Sequence, residues 1–144
     1  MMKIEGALVH WLRSDETLVS LVGHSSEDLR IISFGPDFPV KIPSLVLVED
    51  LDHELQSGST VYTTQYRVES YAATRIAASN IVERVLNMLS DASTAARRSR
   101  GPDFSNTHVR AHNLRVLRMG SLVWSGDLKY WSSELVFVAV WSFI

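Results

Sequence analysis

Two histidines four residues apart, His108 and His112, are the first candidates for chemistry in this sequence. This spacing holds a metal ion when both residues lie on one face of a helix. The segment from His108 to Met119 is instead predicted to be a strand, where four residues separate two side chains by about 13 Å, too far for bonds of about 2 Å. Val109 also stands where a metalloprotease carries its glutamate base. We therefore expect structural or solvent-exposed histidines.

Other residue types of enzymes occur without the spacing that catalysis needs. Ser, His and Asp are present, but the sequence lacks the G-x-S-x-G motif of a nucleophile elbow. The segment from Gly58 to Val61 has a single glycine. The sequence has no glycine-rich loop followed by lysine of the kind that binds the phosphates of a nucleotide. The absence of cysteine excludes disulfides, thiolate zinc sites and thiol catalysis. The sequence predicts no enzyme, no cofactor and no metal site.

An acidic group surrounds Leu51 and His53, and it consists of Glu49, Asp50, Asp52 and Glu54. Such carboxylates could bind a cation or act as an acid and base pair. The group lacks the regular ligand spacing of a calcium loop. The simpler interpretation is a solvated acidic tip of a hairpin.

Three arginines, Arg97, Arg98 and Arg100, fall within residues 91–107, which are predicted to form a long mobile loop. Arginine matches phosphate well, but a nucleic-acid module would interleave such charges with stacking aromatics, and only Phe104 is near. The formal net charge is -2, from 14 basic and 16 acidic residues, which disfavours a dedicated nucleic-acid binder. We expect a solvated loop that could contact a partner.

The composition is that of an ordinary globular protein, with 46 % hydrophobic and 21 % charged residues in 144. This length suits a single domain spanning residues 1–144. The order of the predicted helices and strands, given below, places it in the α+β class. No segment approaches the ~20 apolar residues of a membrane span. Met1 to Arg13 has no uninterrupted apolar run of signal-peptide length, so we expect synthesis in the cytosol and no membrane attachment.

Three helical segments are predicted from apolar residues at helical spacing. The first has its apolar stripe at Ile4, Ala7, Leu8, Trp11 and Leu12. The second is a short turn capped by Ser14 or Asp15, with Leu18, Leu21 and Val22 inside and Gly23 as its stop. The third begins after Thr74 and ends near Ser90, with a stripe of Ala78, Ile81, Val82, Val85, Met88 and Leu89.

The strands are predicted to form a mainly antiparallel sheet of four to five members, packed with the N-terminal helices and the long central helix. The predicted strands are Leu29 to Phe34, Ser44 to Leu51, Thr60 to Ala72, His108 to Met119 and Tyr130 to Phe143. A stiff connection holds Gly35, Pro36, Pro39 and Pro43, and turns are expected at Asp52 to Ser59 and Gly120 to Asp127. In the third strand, Tyr62, Tyr66 and Val68 should face away from Thr63, Gln65, Arg67 and Glu69.

The last strand is apolar on both faces. One face carries Leu135, Phe137, Ala139, Trp141 and Phe143, and the other carries Val136, Val138 and Val140. Both faces need cover, either from helices of this domain on both sides or from another subunit on one side. In the second case we expect Phe137 and Trp141 under the domain's own helices and the three valines at a subunit interface.

The order of these features resembles the tail-terminator, or tail-completion, proteins of long-tailed bacteriophages and prophages. The resemblance begins with the N-terminal helices, which end at Gly23, and continues with Arg30 and Ile31 and with the strand entry "PSLVL" from Pro43. It then includes the hairpin with His53, Leu55 and Gly58, the passage "YRVESYAATRIAASNIVERVLNML" and the strand "ELVFVAVW". The arginine loop and the aromatics Trp124, Tyr130 and Trp131 depart from the family pattern.

The resemblance implies a non-enzymatic virion subunit at the head-proximal end of the tail. Members form a ring, expected to be a hexamer, that caps the tail tube, stops its polymerisation and joins it to a head-completion or neck protein. DNA would pass through the lumen without specific binding, and Glu49, Asp50, Asp52 and Glu54 are candidates for a lumen-facing or tail-facing surface. Two alternatives remain: another head-tail joint protein, or a small ligand-binding domain or minor enzyme using His108, His112 or the acidic hairpin.

Overall fold

The computed structural model describes residues 4–33, 41–55, 61–97 and 109–143, with the backbone alone at 50–55 and 92–97. These ranges contain three helices and six strands. They are α1 (Ile4–Arg13), α2 (Glu16–Val22), β1 (Ile31–Ser33), β2 (Ser44–Leu55), β3 (Val61–Ala72), α3 (Arg75–Arg97), β4 (Val109–Met119), β5 (Val123–Ser125) and β6 (Tyr130–Phe143). The predicted α+β class is confirmed.

The strands form one sheet in the order β1-β2-β3-β6-β4, and β5 pairs with the beginning of β6. The β1 and β2 pair is parallel, and the other pairs are antiparallel. The mainly antiparallel arrangement is thus confirmed. The apolar strand β6 lies between β3 and β4, so both of its edges are paired within the sheet.

The expected turn at Gly120 to Asp127 is wrong in part, because it contains the short strand β5. Beyond β4, the Gly120 N–H donates to the Glu134 carbonyl at 2.8 Å, and β5 continues along β6 with Trp124 opposite Trp131. A Cβ at position 120 would lie 2.4 Å from Glu134 Cγ, so glycine allows this close approach. The sheet therefore has six strands, one more than the largest number predicted.

The end of this long hairpin is closed by a four-residue loop. The Lys129 N–H donates to the Ser125 carbonyl at 2.9 Å, and the Leu128 N–H donates to Ser125 Oγ at 3.2 Å. Lys129 adopts a left-handed conformation with φ 59°, as such loops require before the chain re-enters a strand. We call residues 123–131 the hairpin tip.

The caps of two helices follow the sequence signals. Asp15 is the N-cap of α2 and accepts from the Leu18 N–H at 2.9 Å, and Gly23 ends this helix at φ 68°. Thr74 Oγ1 accepts from the Ala77 N–H at 3.2 Å at the start of α3. Both helices therefore begin where their predicted capping residues indicate.

Two predicted boundaries are wrong because regular structure continues further. The helix α3 reaches Arg97 instead of Ser90, since the intervening residues include three alanines and neither glycine nor proline, so nothing there stops a helix. The strand β2 reaches Leu55 instead of Leu51, with shifts in register against β3 after Glu49 and after Leu51. Since β1 pairs only with residues 45–47, the second half of β2 is an edge in the described structure and tolerates charged residues.

The three helices pack on one face of the sheet. Their buried residues form one cluster with Leu45, Tyr66, Phe137 and Trp141. Phe137 is 2 % exposed and Trp141 is 1 % exposed, and the indole N–H of Trp141 donates to Thr64 Oγ1 at 3.0 Å. The expectation that these two aromatics lie under the helices is confirmed.

The opposite face of the sheet is not covered by helices in the described part of the chain. Val46 and Val136 are buried on that side but lie outside the helical cluster. Within the described ranges, the alternative that β6 is a central strand enclosed by helices on both sides is therefore wrong, because the three helices found there lie on the same side. We call this second surface the open face.

Candidate assembly surface

The open face brings together residues of several strands by their register. Val136 lies beside Arg67, Val138 lies between Gln65 and Arg115, and Val140 lies beside Thr63. Val136 is 1 % exposed, whereas Val138 and Val140 are half-buried. The candidate interface residues thus share one face with long polar side chains, and their role as an interface stays a prediction.

A charged group occupies the open face beside Val136. Glu69 and Glu134 are directly opposite each other on β3 and β6, an arrangement that is unfavourable for two carboxylates. Arg67 Nε lies 3.3 Å from Glu69 and 3.7 Å from Glu134, and Arg118 lies 3.8 Å from Glu134. The two arginines therefore offset the repulsion and connect β3, β6 and β4 across the face.

Tyr71 completes this charged group. Its hydroxyl donates to Glu69 Oε2 at 2.6 Å, and its ring meets Tyr130 edge-on at 5.0 Å between centroids. Burial, followed by the hydrogen bond to Glu69, raises the pKa of Tyr71 well above its ordinary value of 10.0. The hydroxyl therefore stays protonated and acts as a fixed donor.

A shallow cavity of about 240 Å³ lies next to the charged group. It is lined by Glu69, Ser121, Val123, Ser132, Ser133 and Glu134. Both carboxylates are already held by arginine, so the cavity presents hydroxyls and engaged carboxylates. This arrangement suits polar contacts with a partner surface.

A basic row runs along β4, the last strand in the sheet order, and the sequence analysis did not identify it. Arg110, His112, Arg115 and Arg118 are all exposed. Charged side chains on a terminal strand discourage unwanted pairing with another strand. The signal was present in the sequence as charges at close to alternate positions. Arg115 is the member that stands beside Val138 on the open face.

The histidine prediction is tested at one of its two positions. His112 is exposed on β4, and its Nε2 lies 2.8 Å from Ser142 Oγ on β6. His108 lies outside the described residues. Across the described ranges, no group of three or more His, Cys, Asp or Glu residues is placed to share a metal ion.

The predicted acidic hairpin tip is wrong in its position, since Glu49, Asp50, Asp52 and Glu54 all belong to β2. Glu49 is half-buried, and the side chains of the other three lie outside the described structure. Their role at a lumen or tail-facing surface stays a prediction.

The arginine loop is also shifted relative to the prediction. Arg97 is the last residue of α3, and its side chain lies outside the described structure, as do Arg98 and Arg100. The expected start of the loop at residue 91 is therefore wrong, and a contact role for these arginines stays a prediction.

The hairpin tip is a second surface that the sequence analysis did not assign to a site. Val123 is 57 % exposed, Trp124 is 46 % exposed and Leu128 is 64 % exposed. The Trp124 ring packs on the Trp131 ring with 5.4 Å between their centroids. The central carbon of the Arg75 guanidinium lies 6.0 Å from the centroid of the Trp131 ring. The available signal was the density of large apolar residues in a segment that was predicted to be a turn.

No helix in the described ranges is both long and apolar enough to cross a bilayer.

Comparisons with known proteins concern the fold. No protein-family model matches the chain, and neither does any curated protein. Among solved structures, it is similar to a chain described as "Virion of native gene transfer agent (GTA) particle", with a TM-score of 0.61 and 16 % sequence identity. The match covers 99 % of this chain and 99 % of the other, so the two chains share one fold along their whole length.

Proposed function

We propose that this chain is a structural virion protein, a ring-forming tail terminator that caps the tail tube, stops its polymerisation and forms the joint to the head. The observation that carries the proposal is the full-length similarity in fold to a chain of a virion particle, at a TM-score of 0.61. The ordered sequence features that resemble tail-completion proteins support the more specific role.

The open face supplies the physical basis for ring formation. Helices cover one side of the sheet, while Val138 and Val140 on the other side remain half-buried beside Gln65 and Thr63. Association with a neighbour that removes these valines from water is favourable, because the burial of apolar surface lowers the free energy. Repeated contacts between two different surfaces of identical copies close into a ring when the rotation allows it.

The partners follow from the position that we propose. One side of the ring would meet the tail-tube protein, and the other would meet a head-completion or neck protein. An acidic lining suits a lumen through which DNA passes without specific binding, because it repels the phosphates of the DNA backbone. Glu49, Asp50, Asp52 and Glu54 remain candidates for that lining, and the chain has no catalytic role in this proposal.

Light scattering and negative-stain images of the purified protein test the ring, and labelling of the protein in particles tests its place. We expect closed rings, together with a label at the head-proximal end of the tail tube. Cells lacking the protein should also produce tails of uncontrolled length. A label on the head side of the joint would indicate a neck or head-completion protein instead. Monomers that do not bind tail tubes would contradict both roles.

A further inference from the structure

The hairpin tip presents exposed apolar residues at the end of the β5 and β6 hairpin. The bonds from Lys129 and Leu128 to Ser125 fix its loop, and the contact between Trp124 and Trp131 fixes its aromatic side. A preformed surface loses little conformational freedom when it binds. Tryptophan is also enriched among the residues that dominate binding energy at interfaces. The tip therefore has the properties of an interface anchor.

Charged residues accompany the apolar residues of the tip. Asp127 and Lys129 are exposed and flank Leu128, which is 64 % exposed. On the open face, Arg115 is exposed and stands beside Val138. Each surface thus combines an apolar contact residue with an adjacent charge, and Asp127 and Arg115 have opposite signs.

We propose that the hairpin tip of one copy of this chain docks on the open face of the next copy, with Leu128 against Val138 and Asp127 near Arg115. This contact rests on the proposed function, because it supplies the repeated joint of the ring. It accounts for both apolar surfaces described above with one interaction. It is heterologous, since the tip and the open face are different surfaces of the same chain, and such contacts are the kind that build rings.

Charge reversal tests the contact through its effect on association, and thermal melting measures separately whether each variant is folded. Asp127→Arg and Arg115→Asp each place like charges together, so each variant alone should associate about tenfold more weakly or worse. An equal mixture of the two proteins should recover rings, because the altered tip of one protein then meets the altered face of the other, and the unchanged tip meets the unchanged face. The double variant should recover them as well. Thermal melting should show that every variant remains folded.

Arg110→Asp provides a matched control on the same strand. Arg110 is exposed on β4 but lies beside Ser142, away from Val138. We expect Arg110→Asp to form rings as readily as the original protein does. Rings formed by the double variant of Asp127→Arg and Arg110→Asp as readily as by the double variant of Asp127→Arg and Arg115→Asp would contradict the assigned position of the tip.

Engineered cysteines give a second readout, since the chain has no cysteine of its own. Leu128→Cys and Val138→Cys proteins, when mixed and oxidised, should form a disulfide-linked pair that neither protein forms alone. Rings that persist unchanged in both charge variants would overturn the docking contact and leave the proposed function standing. Variants that form rings but no longer bind tail tubes would assign the tip to the tail-tube protein instead. A monomeric original protein would overturn the proposed function together with the contact.

Discussion

The ion pair between Asp15 and Arg84 links the start of α2 to α3. Arg84 reaches the carboxylate with Nη2 at 2.6 Å and Nε at 2.9 Å, so one fork binds both oxygens. The hydrogen bond from Arg84 is the main reason why the pKa of Asp15 lies below its usual value of 3.8, and partial burial acts in the opposite direction. Because Asp15 also caps α2, the pair positions α2 on α3.

Arg84→Ala should lower the free energy of unfolding by about 1 to 2 kcal/mol near neutral pH, because a partly buried carboxylate loses its charged partner. A carboxyl group with a lowered folded pKa stabilises the protein above its unfolded pKa and loses that effect as the pH falls through the folded value. The difference between the original protein and Arg84→Ala should therefore shrink as the pH falls below 3.8. Chemical denaturation at several pH values measures it.

Glu83→Ala is the matched control for this pair, since Glu83 is exposed on the same helix. It should change the free energy of unfolding by less than about 0.5 kcal/mol. An Arg84→Ala effect of equal size at all pH values would show that the ion pair is not its source.

At the scale of elements, the long hairpin depends on glycine at one position and tolerates a side chain at another. A Cβ at Gly120 would lie 2.4 Å from Glu134 Cγ, whereas one at Gly126 would meet nothing within 4 Å. Gly120→Ala should lower the free energy of unfolding by about 1 to 3 kcal/mol, since the Glu134 stem must shift. Gly126→Ala should be close to neutral. Equal melting temperatures for the two variants would contradict this account.

The two faces of β6 lead to opposite expectations for neighbouring residues. Val138→Glu should leave the protein folded, because Val138 is only half-buried on the open face, but it should abolish ring formation. Phe137→Ala, on the face under the helices, should instead cost about 3 to 5 kcal/mol of stability. Light scattering and thermal melting separate these effects. Intact rings of Val138→Glu would count against the open face as the interface.

Sequence patterns predicted the elements in which periodicity and caps agree. The helix α3 has an apolar stripe that begins after Thr74, and all six of its predicted core residues are buried. In contrast, β5 is three residues long and depends on pairing with β6, so no local pattern indicates it. The ends of β2 and α3 were also missed, since whether a polar segment continues an element depends on its neighbours in space.

The candidate surfaces were predictable to different degrees. The alternation of β6 separated Phe137 and Trp141 from the three valines, and the structure confirms that separation. The side on which the helices lie is a property of the tertiary fold, so the sequence alone left two arrangements open. The basic row around Arg115 and the tip around Trp124 each had a signal in the sequence, but strand pairing decides which of their side chains are exposed on one surface.

In the described part of the molecule, helices lie on one side of a sheet and the open face lies on the other. Its fold matches a chain from a virion particle over 99 % of both chains. The open face of such a molecule can contact another subunit while the helices on the other side stay out of the interface. The hairpin tip belongs to the same sheet as the open face. Assembly with copies of itself is the property that we propose for this architecture.

An electron microscopy reconstruction of particles that contain this protein would show whether its copies close into a ring on the tail tube. We expect a closed ring of copies at the head-proximal end of the tail tube, with each open face covered by a neighbour. A reconstruction in which the chain is present at another place, or in which its open face is exposed to solvent, would contradict it.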